Sequence, residues 1–221
     1  MRTWLMVAAE PREFDGILKR ARGAEPLDWP GAAYARQVPA NGVRWLLVAN
    51  GPGPRLVSRA LEYFQNVDGV VSAGFCGALD PALRIGDIVV SGEVPRSAPS
   101  PFVEGELLSM DRVAVTAAEK RELRRNTGAV AVEMESAAVA RKAREWNVPF
   151  RSVRVVSDTA LDDLPLDFNL YRDASGRFSR WRIAAAALRR PLTAVPGLVR
   201  LDRNCRQAAE SLGEFLAHCE F

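Results

Sequence analysis

Residues 131–140 read AVEMESAAVA, and the fold depends on where that stretch is divided. Up to Met134 it continues AVAVEM, an apolar run of strand composition that starts at Ala129. From Glu135 to Asn147 the segment ESAAVARKAREWN sets small residues on one side and charges on the other, the pattern of a helix lying on a sheet. Glu133 and Glu135 flank the joint on either side of Met134. Buried carboxylates are costly without partners. Either these two acids only begin a helix, where negative charge is favoured by about 0.3–1 kcal/mol, or they stand at the rim of a ligand crevice. Ala137, Ala138 and Ala140 would let such a helix pack close to the sheet.

Strand and helix alternate outward from this joint. TWLMVAA (3–9) is an apolar run of the kind covered on both faces. Pro11 can open a helix over 12–22. AAYARQV (32–38) and VRWLLVAN (43–50) read as strands joined by a turn at Asn41-Gly42. GPGPR (51–55) leads into a helix to about 66, and DGVVSAG (68–74) is a strand ending in the small-residue turn GFCGALDP. GDIVVSGEV (86–94) is a strand, 95–106 a Pro- and Ser-rich loop, and LLSMDRVAV (107–115) is strand-like. TAAEKRELRRN is a helix with Thr116 and Glu119 in capping-box spacing. VPFRSVRVVSD (148–158) is a strand, and beyond it come a loop and helices interrupted at Pro191 and Pro196. This order predicts an α/β fold, three layers with a mixed central sheet, as one domain over 1–221 with a basic helical segment from about 170. In such sheets ligands bind beyond the carboxyl ends of strands. Those ends carry Glu10 to Glu13, the 74–78 turn, Glu133 to Glu135, and Ser157-Asp158.

The bulk composition narrows the chemistry. No apolar run reaches the length of a membrane span, and the start reads as a buried strand rather than a signal peptide. Cys76, Cys205 and Cys219 are widely spaced, which argues for a reducing compartment, here the cytoplasm, and against a disulfide framework. The one histidine, His218, lies near the end, so His-based triads and His-rich zinc sites have nothing to build on. Catalysis would run on carboxylates, with no metal or organic cofactor indicated. The net charge of +3 is uneven: Arg172 to Arg206 holds nine Arg against two Asp, a balance of +7.

Four segments together carry a resemblance. AVEMESAAVA, VRVVSDTA (153–160), SAGFCGALDPALRIGDIVV (72–90) and AAEPREF (8–14) occur in the order found in the nucleoside phosphorylase/nucleosidase superfamily, and are most similar to its methylthioadenosine/S-adenosylhomocysteine nucleosidase branch. The tail LPLDFNLYRDASGRFSRWR…LRRP resembles hopanoid-associated phosphorylases, whose implied substrate is adenosylhopane. The resemblance implies cleavage of the N-glycosidic bond of an adenine nucleoside with a modified 5′ group. It makes Asp158 the acid that serves N7 of the base, kept protonated by burial, with Ser157 beside it. It makes Glu135 the acceptor for the ribose 2′- and 3′-hydroxyls, next to Glu133, and packs Met134 under the sugar. Glu13 would take the proton of attacking water. Gly74, Cys76 and Gly77 would allow close backbone approach to the ligand, and Val113, within Asp111 to Ala114, would offer backbone groups to the purine edge. A homodimer or higher assembly is also implied. From the residues alone, each site has a plainer reading: a helix cap for Asp158, a solvated helix face for Glu13, a tight turn for the glycines, core for Met134.

Phosphorolysis would need an anion site. Where phosphorylases of the superfamily place two Arg and a Ser, this chain has Glu13, Ser72 and Phe75. Water is therefore the expected nucleophile; phosphate stays open if Arg12, Arg55 and Arg84 converge. A non-catalytic nucleoside-binding protein is the other class, since it needs Glu135 but no acid at Asp158. GPGPRL (51–56) lacks the third glycine of a dinucleotide loop. The basic tail reads either as helices with Arg outward or as a mouth facing an anionic membrane surface, the inner membrane, with peripheral contact. Nucleic acid is not expected, because Trp181 is the only stacking aromatic in its most basic part.

Overall fold

The computed structural model describes residues 1–40, 42–63, 66–93 and 101–220. Among these residues ten strands run β1 (Arg2–Ala8), β2 (Glu25–Pro26), β3 (Tyr34–Ala40), β4 (Val43–Ala49), β5 (Gly69–Ala78), β6 (Ile88–Gly92), β7 (Val103–Glu104), β8 (Leu107–Ser109), β9 (Ala131–Glu133) and β10 (Phe150–Asp158). Six helices accompany them: α1 (Asp15–Arg20), α2 (Pro54–Ala60), α3 (Ala117–Thr127), α4 (Ser136–Glu145), α5 (Arg180–Leu188) and α6 (Ala194–His218), with 3-10 turns at Pro11–Phe14 and Phe168–Tyr171. The strands form one sheet in the order β2-β3-β4-β1-β5-β10-β6-β7, with β9 paired to β5 and β8 to β9. β4, β1, β5 and β10 are parallel, while β3 and β6 flank them antiparallel, so the sheet is mixed as expected.

β1 shows why the sheet is covered twice. Trp4, Met6 and Ala8 join a core with Ile17 of α1 and Leu212 and Phe215 of α6. Leu5 and Val7 point the other way, toward Val57 of α2 and Val139 of α4. The strand's period of two sends alternate residues to opposite faces, and the result is the three-layer α/β/α arrangement. α1 reaches α6 through glycine: a Cβ on Gly16 or Gly213 would overlap backbone of the other helix.

Several boundaries differ from the sequence reading. GFCGA is not a turn; β5 runs on through it to Ala78, because β10 and β9 continue to pair with it. The helix expected over 12–22 splits into a 3-10 turn and the short α1, and α2 stops at Ala60. LLSMDRVAV is a strand only to Ser109. Pro196 does not interrupt α6; it sits in the first turn, where a missing N–H costs nothing. Glu25–Pro26 is a strand that was not foreseen. Asn41 of the expected turn, and residues 95–100 of the 95–106 loop, fall outside the described residues; Val103–Glu104 within that loop is a strand.

Gly213→Ala should destabilise the fold by about 1–3 kcal/mol, because an added methyl has to push two helix backbones apart. Urea unfolding should show a lower midpoint at unchanged slope.

Candidate active site

At the carboxyl ends of β1, β5 and β10 lies a cavity of about 660 Å³, within the range of small-ligand sites. Its lining includes Glu13, Cys76, Gly77, Val113, Glu133, Met134, Glu135, Ser157 and Asp158, which come from segments far apart in the chain. Of the ten residues singled out in the sequence, Gly74 alone is not in the wall; it lies directly behind it.

Glu13 follows β1 in the 3-10 turn and is fully buried. Its Oε2 accepts the Glu10 N–H at 2.6 Å and its Oε1 the Phe75 N–H at 2.7 Å. Gly74 has φ of +143°, and a Cβ there would overlap the Glu13 carboxylate, so both the backbone angle and the space require glycine. Burial pushes the Glu13 carboxyl above its ordinary value, although the two amides and Arg154 oppose this.

The acids of the opening motif divide their work. Glu133, at the end of β9, accepts the N–H groups of Glu135 and Ser136 on one oxygen, both at 2.8 Å, and the hydroxyl of Ser109 on the other. It organises the start of α4 and faces the cavity with both oxygens engaged. Glu135 does not cap its own helix. Its Oε1 accepts the Gly53 N–H at 2.8 Å and its Oε2 meets Nη1 of Arg154 at 3.2 Å. Burial, with Glu133 adding repulsion, pushes the Glu135 carboxyl up to about 7, against the pull of Arg154. The GPGP segment, discounted as a dinucleotide loop, thus has a part here: it carries the amide that holds Glu135.

Arg154 was not foreseen, and it ties these groups together. Its side chain is wholly buried on β10. Nη2 lies 2.6 Å from Glu133 Oε2 and donates to Ser72 Oγ at 2.6 Å, and Nε and Nη2 both reach Ser136 Oγ. The signal was available: an arginine inside VRVVSD, a strand otherwise buried on both faces, needs buried acids to pair with.

Asp158 closes β10 where its pairing with β5 is irregular, between Val156 and Asp158. Such an irregularity re-aims side chains, and Asp158 lies over Gly77, where a Cβ would sit 2.9 Å from its Oδ2. Ser157 donates to its Oδ1 at 2.9 Å. Burial alone was expected to govern this acid; instead Nζ of Lys120 on α3 lies 2.5 Å from Oδ2. Cys76 is in the wall but buried, which pushes its thiol up strongly and leaves it no nucleophile. Val113 is in the wall, yet its N–H and C=O are both taken by the side-chain amide of Asn169, at 2.9 and 3.0 Å.

Arg12, Arg55 and Arg84 do not converge. Arg12 pairs with Glu10 at 3.1 Å at the cavity edge, Arg55 reaches the Ala174 carbonyl, and Arg84 is exposed away from the cavity. The tail adds the apolar residues Leu164, Phe168, Phe178, Ile183, Leu198 and Leu201 to the lining, together with Arg180 and Asp202.

Comparison with known proteins bears on the fold and on the relatives of the chain. The phosphorylase superfamily model matches residues 93–188. A 5′-methylthioadenosine/S-adenosylhomocysteine nucleosidase of Staphylococcus aureus is 24% identical over 156 residues, covering 53% of this chain and 68% of the relative. Among solved structures, a mutant of that nucleosidase from Helicobacter pylori with 5′-methylthioadenosine in its active site matches with a TM-score of 0.71 at 18% identity, over 98% of this chain and 96% of the other. A futalosine hydrolase mutant of Helicobacter pylori matches at 0.69 and 17% identity, over 98% and 97%. The fold is therefore that of the nucleoside phosphorylase/nucleosidase superfamily. The superfamily resemblance is borne out; the matching model covers two of the four segments that carry it, AVEMESAAVA and VRVVSDTA, and the relative named above is a nucleosidase.

Raised carboxyl values mean that the folded state holds protons the unfolded chain has released. Stability contributed by Glu135 is thus fully present below the ordinary glutamate value and is lost as pH rises toward about 7. The melting temperature of the ligand-free protein should fall across that window, and Glu135→Gln should flatten the fall. Arg154→Met should cost roughly 3–5 kcal/mol, since it leaves buried carboxylates unpaired.

Proposed function

We propose that this chain is an enzyme that cleaves the N-glycosidic bond of an adenine nucleoside, with water as the nucleophile. One observation carries the reading: Glu13, Glu135 and Asp158, from three distant segments, line a single cavity of ligand size. Glu13 lies against Gly74 and Asp158 against Gly77, three residues further along β5. That separation is roughly 10 Å, which suits groups acting at the two ends of a ribosyl–purine unit. In the proposed reaction Glu135 accepts the ribose hydroxyls and faces the positive charge that grows on the sugar. The C1′–N9 electron pair leaves with the base, Asp158 delivers a proton to N7, and Glu13 takes a proton from the water that bonds to C1′.

The nucleophile follows from the charges. Three carboxylates surround the Arg154 guanidinium, so its charge is already matched and an incoming phosphate would be repelled. For the purine edge to use Val113, Asn169 has to release it. Adenine release from the purified protein should proceed without phosphate. Glu13→Gln and Asp158→Asn should each lower turnover by on the order of 10²–10⁴, and release that depends strictly on phosphate would defeat the hydrolytic reading. An Asp158→Asn variant that keeps full activity would favour a different acid.

The apolar wall supports a long apolar 5′ group, adenosylhopane among the candidates, over a short polar one. The outer side of the same segment supports contact with an anionic membrane. Of the ten large apolar residues exposed among the described residues, seven lie between Leu161 and Val199, including Leu192 at 90% and Trp181 at 74%. Arg189 and Arg190 stand exposed beside Leu188 and Leu192 in the turn between α5 and α6. Basic groups at such a surface contribute about 1 kcal/mol each. Co-sedimentation with vesicles containing phosphatidylserine should fall when Arg189, Arg190 and Leu192 are replaced by Ser; binding that is unchanged would count against membrane contact. Turnover should favour nucleosides with long apolar 5′ groups over 5′-methylthioadenosine, and the reverse order would exclude the apolar substituent.

A further inference from the structure

The groups around Asp158 raise the question of where its proton comes from. Both carboxylate oxygens are engaged as acceptors, Oδ1 by the Ser157 hydroxyl at 2.9 Å and Oδ2 by Lys120 at 2.5 Å. The three hydrogens of an ammonium are the only protons in that pairing free to be passed on. Nζ of Lys120 has three acceptors: Asp158 Oδ2, the Thr159 carbonyl at 2.8 Å and the Asp162 carbonyl at 3.1 Å. Three donors meeting three acceptors is the geometry of a charged lysine. Its side chain is fully buried and is not part of the cavity wall, whereas Asp158 is. Asp158 is therefore the one side chain bonded to this ammonium that also faces the cavity.

A buried lysine is expensive, and surface helices such as α3 seldom need one. Here the helix is fixed so as to deliver it: Thr116 accepts the Glu119 N–H at 3.1 Å, Glu119 accepts the Val115 N–H at 2.8 Å, and Lys120 follows directly. The Thr159 and Asp162 carbonyls belong to the chain just beyond β10, so the ammonium clamps that segment and the acid in one contact.

We propose that Lys120 supplies the proton that leaves with the base, acting through Asp158. This rests on the nucleosidase reading above. A proton moves from Nζ to Oδ2, the N–H bond breaking as the O–H bond forms, which leaves a neutral amine and a neutral acid. The acid then passes the proton to N7 as the C1′–N9 pair moves onto the base. Asp158 ends as a carboxylate and Lys120 as an amine. Lys120 regains a proton through Asp158 from cavity water once the base departs, and Glu13 gives up the one taken from the nucleophile. No other reactant is needed. Lys120 is a positioning and proton-supplying residue that never touches substrate.

Two substrates separate this role from a structural one. Cleavage of the adenine nucleoside needs the leaving group protonated. Cleavage of 4-nitrophenyl β-D-ribofuranoside does not, because nitrophenolate leaves as the anion. Lys120→Met should lower kcat on the nucleoside by on the order of 10² or more with KM unchanged, while the riboside rate stays near wild type. Lys120→Arg keeps the cation but carries a guanidinium that does not release its proton; it should show the same split. Wild-type kcat on the nucleoside in either variant would overturn the proposal. Equal loss on both substrates, including loss through misfolding of both variants, would assign Lys120 a structural role and overturn it too. If the wild-type enzyme cleaves neither substrate, the nucleosidase reading itself fails.

Discussion

A guanidinium with no access to water organises this molecule. Arg154 sits in the middle of the sheet, on β10, and no solvent offsets its charge; taking such a group out of water costs several kcal/mol. The cost is met by Glu133, Glu135, Ser72 and Ser136, which come from β9, the start of α4 and β5. The carboxylates around it are in turn placed by backbone: Glu133 by two amides at the head of α4, Glu135 by the Gly53 amide, and the nearby Glu13 by two more. Remove the guanidinium and these three segments lose their common point.

The cluster is also unbalanced, and the imbalance is useful. One cation faces three carboxylates, and burial answers by raising the proton affinity of Glu13 and Glu135. A site of this kind lacks positive charge. On the proposed reading, the sugar supplies it at the moment its bond to the base breaks, so the fixed carboxylates stabilise the transition state more than the neutral substrate. Gly74 makes the arrangement possible by letting a carboxylate rest on the strand backbone itself. The tail adds mostly apolar side chains to the lining, with Arg180 and Asp202 as its charged members, so on the proposed reading the acids meet the sugar and the tail meets the 5′ substituent.

Much of this was legible in the chain. Buried strands such as TWLMVAA declare themselves by composition, and acids at strand ends declare the rim of the site. Gly77 was read as a turn, yet it lies in a paired strand, because glycine in a strand marks close approach as well as bending, and only the position of Asp158 decides which. Arg154 and Lys120 were missed for a different reason. The buried strand around Arg154 signals a need for acids but not which ones, and Lys120 on an amphipathic helix reads as solvent-facing; their carboxylate partners lie 19 to 38 residues away. Asn169 on Val113, 56 residues apart, is invisible for the same reason. What pattern cannot show is pairing across the fold, and the electrostatics of the site consist largely of that.

The two carboxylates proposed for proton transfer are told apart by their neighbours rather than by their own burial. Glu13 is held by backbone amides with no lysine in contact, and burial raises its affinity for a proton, as suits a group that must receive one. Asp158 is tied to an ammonium, so a proton for delivery is stored one bond behind it. Exchanging the two environments would invert the chemistry: a base beside a lysine would hold no place for a proton, and an acid between amides would have none to give. On the proposed reading, the direction of proton flow across the cavity, from Lys120 toward the base and from water toward Glu13, is set by which of the two acids meets the lysine of α3.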